Sequence, residues 1–210
     1  MKQSGRLITI EGAEGGGKST CVSVVEQWLR EHGLRYVSTR EPGGTSLGEQ
    51  LRTLLLDPES GTIDPVAELL MMFAARAQHI SEIIKPALAR GQWVVCDRFT
   101  DSTYAYQGGG RGLSELIIGQ TEDLALQGFA PDLTLVLDLP VEDGLARVAS
   151  RGDKDRFERE QMDFFERIRQ TFLERAATGV HYRVIDASGD EAAVANLVRQ
   201  TMDSFIAEGT

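Results

Sequence analysis

Two cysteines, three histidines and a deficit of positive charge set the first limits on this 210-residue chain. Cys21 and Cys96 stand alone, without metal-ligand spacing, so reduced thiols and a cytoplasmic protein are expected rather than a disulfide scaffold or a zinc site. His32, His79 and His181 form no recognisable cluster and carry no assigned chemistry. No apolar run approaches a membrane span, and the first residues lack a signal peptide's apolar core, so no membrane partner is expected. Lys and Arg number 22 against 32 Asp and Glu, a net charge of −10, which argues against broad nucleic-acid binding. Ser19 and Ser102 have no His/Asp relay, no Asn-Lys-x-Asp string marks a guanine-specific switch, and nothing suggests the extra domains of a motor.

What the chain does contain is ordinary in bulk and specific in detail. Apolar content of 41% and charged content of 26% suit a soluble α/β domain. Gly12-Ala13-Glu14-Gly15-Gly16-Gly17-Lys18-Ser19 fits G-x-x-x-x-G-K-[ST] without exception, between the apolar run Leu7–Ile10 and a helical stretch from Cys21 to Arg30. Such a loop turns successive backbone N–H groups towards a polyphosphate, and the following helix adds its positive end. Lys18 can reach the β and γ phosphates, and the Ser19 hydroxyl can ligate Mg²⁺. Gly12 to Thr20 is thus predicted to be a nucleoside-triphosphate site.

Strand patterns alternate with helical ones along the rest of the chain. Strands are expected at 7–10, 35–39, 93–96, 133–137 and 182–185, which implies a five-stranded parallel sheet with helices on both faces. Helices are expected at 47–56, 65–90 with a bend before Pro86, 114–127, 141–150, 157–177 and 191–206. Thr100 to Gly112 reads as a polar segment ending in the flexible run Gly108-Gly109-Gly110-Arg111-Gly112. Ligands of such sheets bind beyond the strands' carboxyl ends. The phosphate loop, Arg40 and Asp97-Arg98 all fall there. Arginines recurring at strand ends and in loops suggest a small anionic substrate, with scattered surface charge as the plain alternative.

Five strings in order then make the chain resemble the bacterial thymidylate kinases along nearly its whole length. They are Glu11 to Ser19, Thr39-Arg40-Glu41-Pro42-Gly43-Gly44, Phe73-Ala74-Ala75-Arg76-Ala77-Gln78, Asp97-Arg98-Phe99, and Tyr104 to Gly112. The resemblance implies a P-loop nucleoside-monophosphate-kinase-like fold over residues 1–210, with a lid segment at about 147–160. It implies ATP- and Mg²⁺-dependent phosphorylation of dTMP to dTDP, in dTTP biosynthesis. It also implies a homodimer, although the apolar helix 65–90 by itself equally suits burial within one domain. Residue by residue, Glu14 is similar to the acid near the 3′-hydroxyl of dTMP. Arg98 and Arg40 resemble acceptor-phosphate arginines, and Asp97 the acid near the Mg²⁺ shell. Arg76 resembles the arginine that hydrogen-bonds the thymine ring, Thr103 resembles the small polar residue that meets the thymine edge, and Gln107 is a further substrate-binding candidate. Tyr106 resembles the tyrosine that crowds the 2′ position.

Two points depart from the family pattern or extend it. Many relatives carry an aromatic four residues before the arginine, where this chain has Met72; Phe73, one residue on, is expected to stack on the base. The phosphate loop itself offers no arginine, so the cation for the transferring phosphoryl is expected from Arg151 or Arg156 in the lid, as in bacterial members. A deoxynucleoside kinase, or a nucleotide-binding regulator that transfers nothing, are the rival readings.

Overall fold

All five apolar runs join one parallel sheet in the computed structural model, which describes residues 5–149 and 155–208. The strands are β1 (Leu7–Gly12), β2 (Tyr36–Arg40), β3 (Trp93–Asp97), β4 (Leu133–Asp138) and β5 (Tyr182–Asp186), in the order β2-β3-β1-β4-β5. Each extends beyond its expected carboxyl end because parallel pairing continues there, with Ile10 and Arg40 both opposite Asp97 and Asp138 opposite Asp186.

Alternation along the strands feeds two faces. Ile8, Ile10, Val95, Leu133 and Leu135 pack against α1 (Lys18–Glu31) and α9 (Glu191–Glu208) through Val25, Trp28, Leu29, Val198 and Met202. Leu7, Val94 and Cys96 turn the other way, towards α3 (Pro65–His79) and α6 (Glu115–Leu126). Val136 meets α8 (Met162–Ala176) through a group containing Phe165, Ile168 and Phe172. Fully burying one such side chain stabilises the fold by about 1.5–3 kcal/mol. The remaining helices are α2 (Ser46–Leu56), α4 (Lys85–Ala89), α5 (Thr100–Thr103) and α7 (Val141–Ala149).

Three expectations need correction. The helix over 65–90 is interrupted by a π-helical turn at Ile80–Ile84 before α4. Pro86 has no N–H and its ring crowds the carbonyl four residues back, so the ladder widens ahead of it. The segment after β3 is helical, not a flexible loop: α5 leads into a π-helical stretch, Tyr104–Gly110, that is mostly buried. Its glycines serve close packing on α8, since a Cβ at Gly109 would lie 2.2 Å from Thr171 Oγ1 and one at Gly110 2.5 Å from the Phe164 ring. Finally, α8 starts at Met162, not Phe157. Asp155 Oδ1 instead accepts from the Phe157 and Glu158 N–H groups, closing a turn that buries Phe157.

Candidate active site

The carboxyl ends of β1, β2 and β3 open onto a cleft of about 340 Å³. Its floor is the loop Gly12 to Ser19. Gly15 has φ +71, and a Cβ there would lie 2.1 Å from the Gly144 carbonyl oxygen, so only glycine lets the loop turn this closely beneath α7. Glu14, Gly15, Gly17, Lys18, Ser19 and Thr20 line the cleft. Ala13 and Gly16 face a small cavity behind the loop, beside Leu137 and Phe172. The Lys18 ammonium donates to the Gly12 and Ala13 carbonyls at 3.0 and 2.8 Å. Burial, aided by the charge of Arg98, lowers its pKa from 10.5 to about 8, against the pull of Glu14, Asp97 and Glu11.

Opposite the loop, Arg98 follows β3 in a left-handed backbone conformation, φ 69. Its N–H donates to the Ile10 carbonyl at 2.9 Å, and the Cys96 thiol donates to its carbonyl at 3.1 Å. This turn aims the guanidinium back at the loop, where it donates to Gly12 O and Ser102 Oγ, both at 3.1 Å, to Glu14 Oε1 at 2.7 Å, and to Tyr106 Oη at 3.0 Å. The Tyr106 hydroxyl in turn donates to Glu14 Oε1 at 2.8 Å. Beneath them the buried Glu11 carboxylate accepts from Phe99 N at 2.7 Å, Ser102 N at 3.2 Å and Ser102 Oγ at 2.6 Å, pinning the start of α5. Burial, and then the Asp101 carboxylate, raise the Glu11 pKa from 4.5 to about 7 despite these donors and Arg98. Asp97 Oδ1 is buried beside Ser19 on the cleft wall with no hydrogen-bond partner among the described residues.

The far end of the cleft is built on α3. Arg76 is buried between the rings of Phe73 and Phe99, with its guanidinium carbon 4.9 and 5.4 Å from their centroids. It donates from Nε to Glu41 Oε2 at 2.6 Å, and from its terminal nitrogens to Thr103 Oγ1 at 2.9 Å and Phe99 O at 2.8 Å. Gln107, also on the wall, donates to the buried Glu68 at 2.8 Å.

Most of the sequence-predicted residues thus converge, while Phe73, Arg40 and Arg156 lie off the cleft. Met72, not Phe73, lines the cleft: adjacent helical residues point about 100° apart, and Phe73 is committed to the core with Leu69, Ile80 and Phe99. Arg40 pairs with Glu49 at 2.9 Å on a half-exposed groove beside β2. Arg52 of α2 holds the cleft wall instead, donating to the Pro42 carbonyl at 2.9 Å. Arg156 donates to Leu55 O at 2.8 Å and pairs with Glu68, on the side of α2 and α3. Arg151 lies outside the described residues. Arg52 went unread because no string marks it; the one signal was a cation beside the apolar stripe Leu51 and Leu55.

A glycine-rich loop with its lysine, sharing one cleft with several arginines, is a geometry that suits a phosphotransferase. Residues 10–198 match the family model for thymidylate kinase. The chain belongs to the thymidylate kinase family. It is 57% identical to the thymidylate kinase of Chromohalobacter salexigens over 193 residues, 90% of this chain and 91% of that one. It is 56% identical to that of Pseudomonas putida over 192 residues, 91% of each. The crystal structure of thymidylate kinase from Ehrlichia chaffeensis superposes with a TM-score of 0.77 at 34% identity, covering 95% of this chain and 99% of the other. Membership of the thymidylate kinase family makes the chain a kinase, and no helix among its described residues is long and apolar enough to cross a membrane.

Proposed function

We propose that the chain transfers the γ-phosphoryl group of ATP directly to dTMP, with Mg²⁺, giving dTDP and ADP on the route to dTTP. One observation carries this reading: Lys18 and Ser19 of the phosphate loop line one cleft together with Arg98, Arg52 and Arg76. A deoxynucleoside kinase, whose acceptor has no phosphate, gains nothing from Arg98 and Arg52 there, and a regulator has no use for an acceptor pocket.

The loop N–H groups and Lys18 bind the ATP phosphates. Arg98 grips the acceptor phosphate, for which its planar fork suits two oxygens at once. Glu14 accepts from Arg98 and stands ready for the 3′-hydroxyl of dTMP. Tyr106, braced edge-on by Phe157, Phe164 and Phe172, crowds the 2′ position. Arg76 and Thr103 read the thymine edge, with Gln107 beside them, and Met72 supports its face. The unpartnered Asp97 oxygen and the Ser19 hydroxyl suit Mg²⁺, which when bound neutralises charge on the phosphate oxygens. A lid at about 147–160 closes over ATP, excludes water and brings Arg151 to the transferring phosphoryl. Arg156 anchors that lid to Glu68.

A second copy of the chain covers α2, α3 and α6. These helices pack side by side and leave Leu47, Leu54, Val66, Leu70, Leu116 and Leu124 exposed, an apolar face that suits a homodimer. The work is cytoplasmic and needs neither membrane nor nucleic acid. The deciding assay follows ADP release from ATP-Mg²⁺ with dTMP, thymidine, dUMP, other monophosphates, or no acceptor. Fastest turnover with dTMP supports the proposal; faster turnover with thymidine, or turnover indifferent to acceptor, refutes it.

A further inference from the structure

His79, for which the sequence offers no role, ends a buried chain of hydrogen bonds that reaches the cleft. It lies fully buried on α3, one turn after Arg76. Nε2 meets the Thr39 hydroxyl of the edge strand β2 at 2.7 Å, and Nδ1 meets Glu41 Oε1 at 2.8 Å. The other Glu41 oxygen takes Arg76 Nε at 2.6 Å. A carboxylate oxygen can only accept, so Nδ1 carries a proton, and Nε2 and the Thr39 hydroxyl share the other bond. Gly44 covers the pair, since a Cβ there would lie 2.6 Å from Thr39 Oγ1 and 2.8 Å from His79 Nε2.

Glu41, His79 and Cys96 bring three metal-ligating side chains together, but hydrogen bonding already consumes them. Both Glu41 oxygens and both His79 nitrogens have partners. Burial holds the Cys96 thiol well above its usual pKa, so it stays protonated and donates to Arg98 O. The cluster is a relay of hydrogen bonds.

We propose that His79 is a positioning residue for acceptor binding, acting through Glu41 on Arg76. The inference rests on the proposed role of Arg76 at the thymine edge. Stacked between two rings, Arg76 is held out of plane by Phe73 and Phe99, and only its polar partners fix its rotation within the plane. A carboxylate beside a guanidinium favours the two-pronged arrangement, with both oxygens on the fork. By occupying Oε1, His79 keeps Glu41 to a single prong on Nε. The terminal nitrogens stay with Thr103 and Phe99, and their remaining N–H groups are left for a ligand. Without the Nδ1 donor, Oε1 draws Nη2, the terminal nitrogen on the Nε–H side, towards Glu41 and off Phe99 O, which turns the fork in its plane and pulls Nη1 from Thr103.

Two substitutions separate positioning from packing. The side-chain amide of His79→Asn sits where Nδ1 was and keeps a donor on Glu41; that of His79→Gln reaches the Nε2 position and serves Thr39 alone. Both remove the ring, so a purely structural role lowers thermal stability and dTMP affinity in both. Calorimetric Kd values for dTMP without ATP, beside the KM values for dTMP and ATP, read the difference. His79→Asn is expected to stay within threefold of the parent. His79→Gln is expected to lose about tenfold in dTMP affinity, the scale of one charge-assisted hydrogen bond, with the ATP KM within threefold. Equal dTMP affinities for the two variants would overturn the proposal. If His79→Gln does not fold, His79→Asn decides alone: a tenfold loss contradicts positioning through Nδ1, and near-parental affinity supports it. Arg76→Gln, measured alongside, isolates the underlying reading. Unchanged dTMP affinity in that variant removes Arg76 from the acceptor site, and the relay with it. Lost affinity there with no Asn/Gln difference removes the relay only.

Discussion

Arg98 and Glu14 form an ion pair at 2.7 Å, one from a left-handed turn after β3 and the other from the phosphate loop. The pair ties the acceptor side to the donor side before any substrate is present. Arg98 brings four hydrogen bonds to this junction and Glu14 accepts two of the bonds made there. Replacing the arginine removes the tether on the loop and, in the proposed function, the grip on the acceptor phosphate. For Arg98→Ala, kcat/KM for dTMP should fall by at least about 10²-fold, two charge-assisted bonds being worth that much. The ATP KM should move less than the dTMP term in the same steady-state experiment.

Lys18 is expected to set the alkaline limb of activity. Its free-enzyme pKa of about 8 means that raising pH through 8 discharges the ammonium before ATP arrives. The pH profile of kcat/KM for ATP, which reports the free enzyme, should fall above pH 8, while kcat holds to higher pH because bound phosphates keep the lysine charged. Lys18→Ala should nearly abolish transfer and leave the circular dichroism spectrum unchanged. Normal turnover in that variant at saturating ATP contradicts the site.

Glu11 works on stability with the opposite sign from a salt-bridged carboxylate. Its pKa is raised from 4.5 to about 7, so between those values the native state binds more protons than the unfolded one. Its contribution is fully present below pH 4.5 and is lost as pH rises to 7, by up to about 3 kcal/mol. The midpoint difference in urea between the parent and Glu11→Gln should therefore change across pH 4.5–7. A constant difference over that range contradicts the assignment.

Tyr106 carries two roles that separate by substitution. Tyr106→Phe keeps the ring among Phe157, Phe164 and Phe172 but deletes the hydroxyl between Glu14 and Arg98. It should lower efficiency with deoxy- and ribonucleoside monophosphates by a similar factor. Tyr106→Ala removes the steric wall as well, and should raise ribonucleotide efficiency relative to dTMP.

How far these features were legible in the sequence depends on whether a residue's role is local. The phosphate loop and Asp97-Arg98 follow single strands, so their strings carried their geometry. The five-stranded parallel sheet, and a site at its strands' carboxyl ends, followed from the alternation of apolar runs and helices; the order β2-β3-β1-β4-β5 did not, because pairing joins strands far apart in the chain. Met72 and Phe73 differ by one step of helical rotation, which periodicity leaves open on a helix apolar on most sides. Gly109 and Gly110 looked flexible because their reason lies far along the chain, in the carbonyl and hydroxyl of α8 that close on Gly109 (Arg167 and Thr171) and in the Phe164 ring on Gly110. His79 and Arg52 act across elements, and no sequence spacing joins either to its partners.

Arg156 and Arg151, alike on paper, should behave differently. Arg156 pairs with the buried Glu68, which also takes Gln107 and Arg111. Arg156→Ala should cost about 2 kcal/mol of stability, a Tm drop of roughly 4–8 °C, since Glu68 keeps its other donors. Arg151→Ala should lower kcat by at least roughly 10²-fold with little change in the dTMP KM, as for arginines that meet the transferring phosphoryl. Equal kinetic effects in the two variants contradict this division.

The most direct test of the whole account follows the phosphoryl group itself. With ATP labelled in the γ position, Mg²⁺ and dTMP, the label should appear in the β position of dTDP, one per ADP formed, and none should reach thymidine. Label released as inorganic phosphate, or transferred to thymidine in preference to dTMP, contradicts direct transfer between the phosphate loop and the Arg98 pocket.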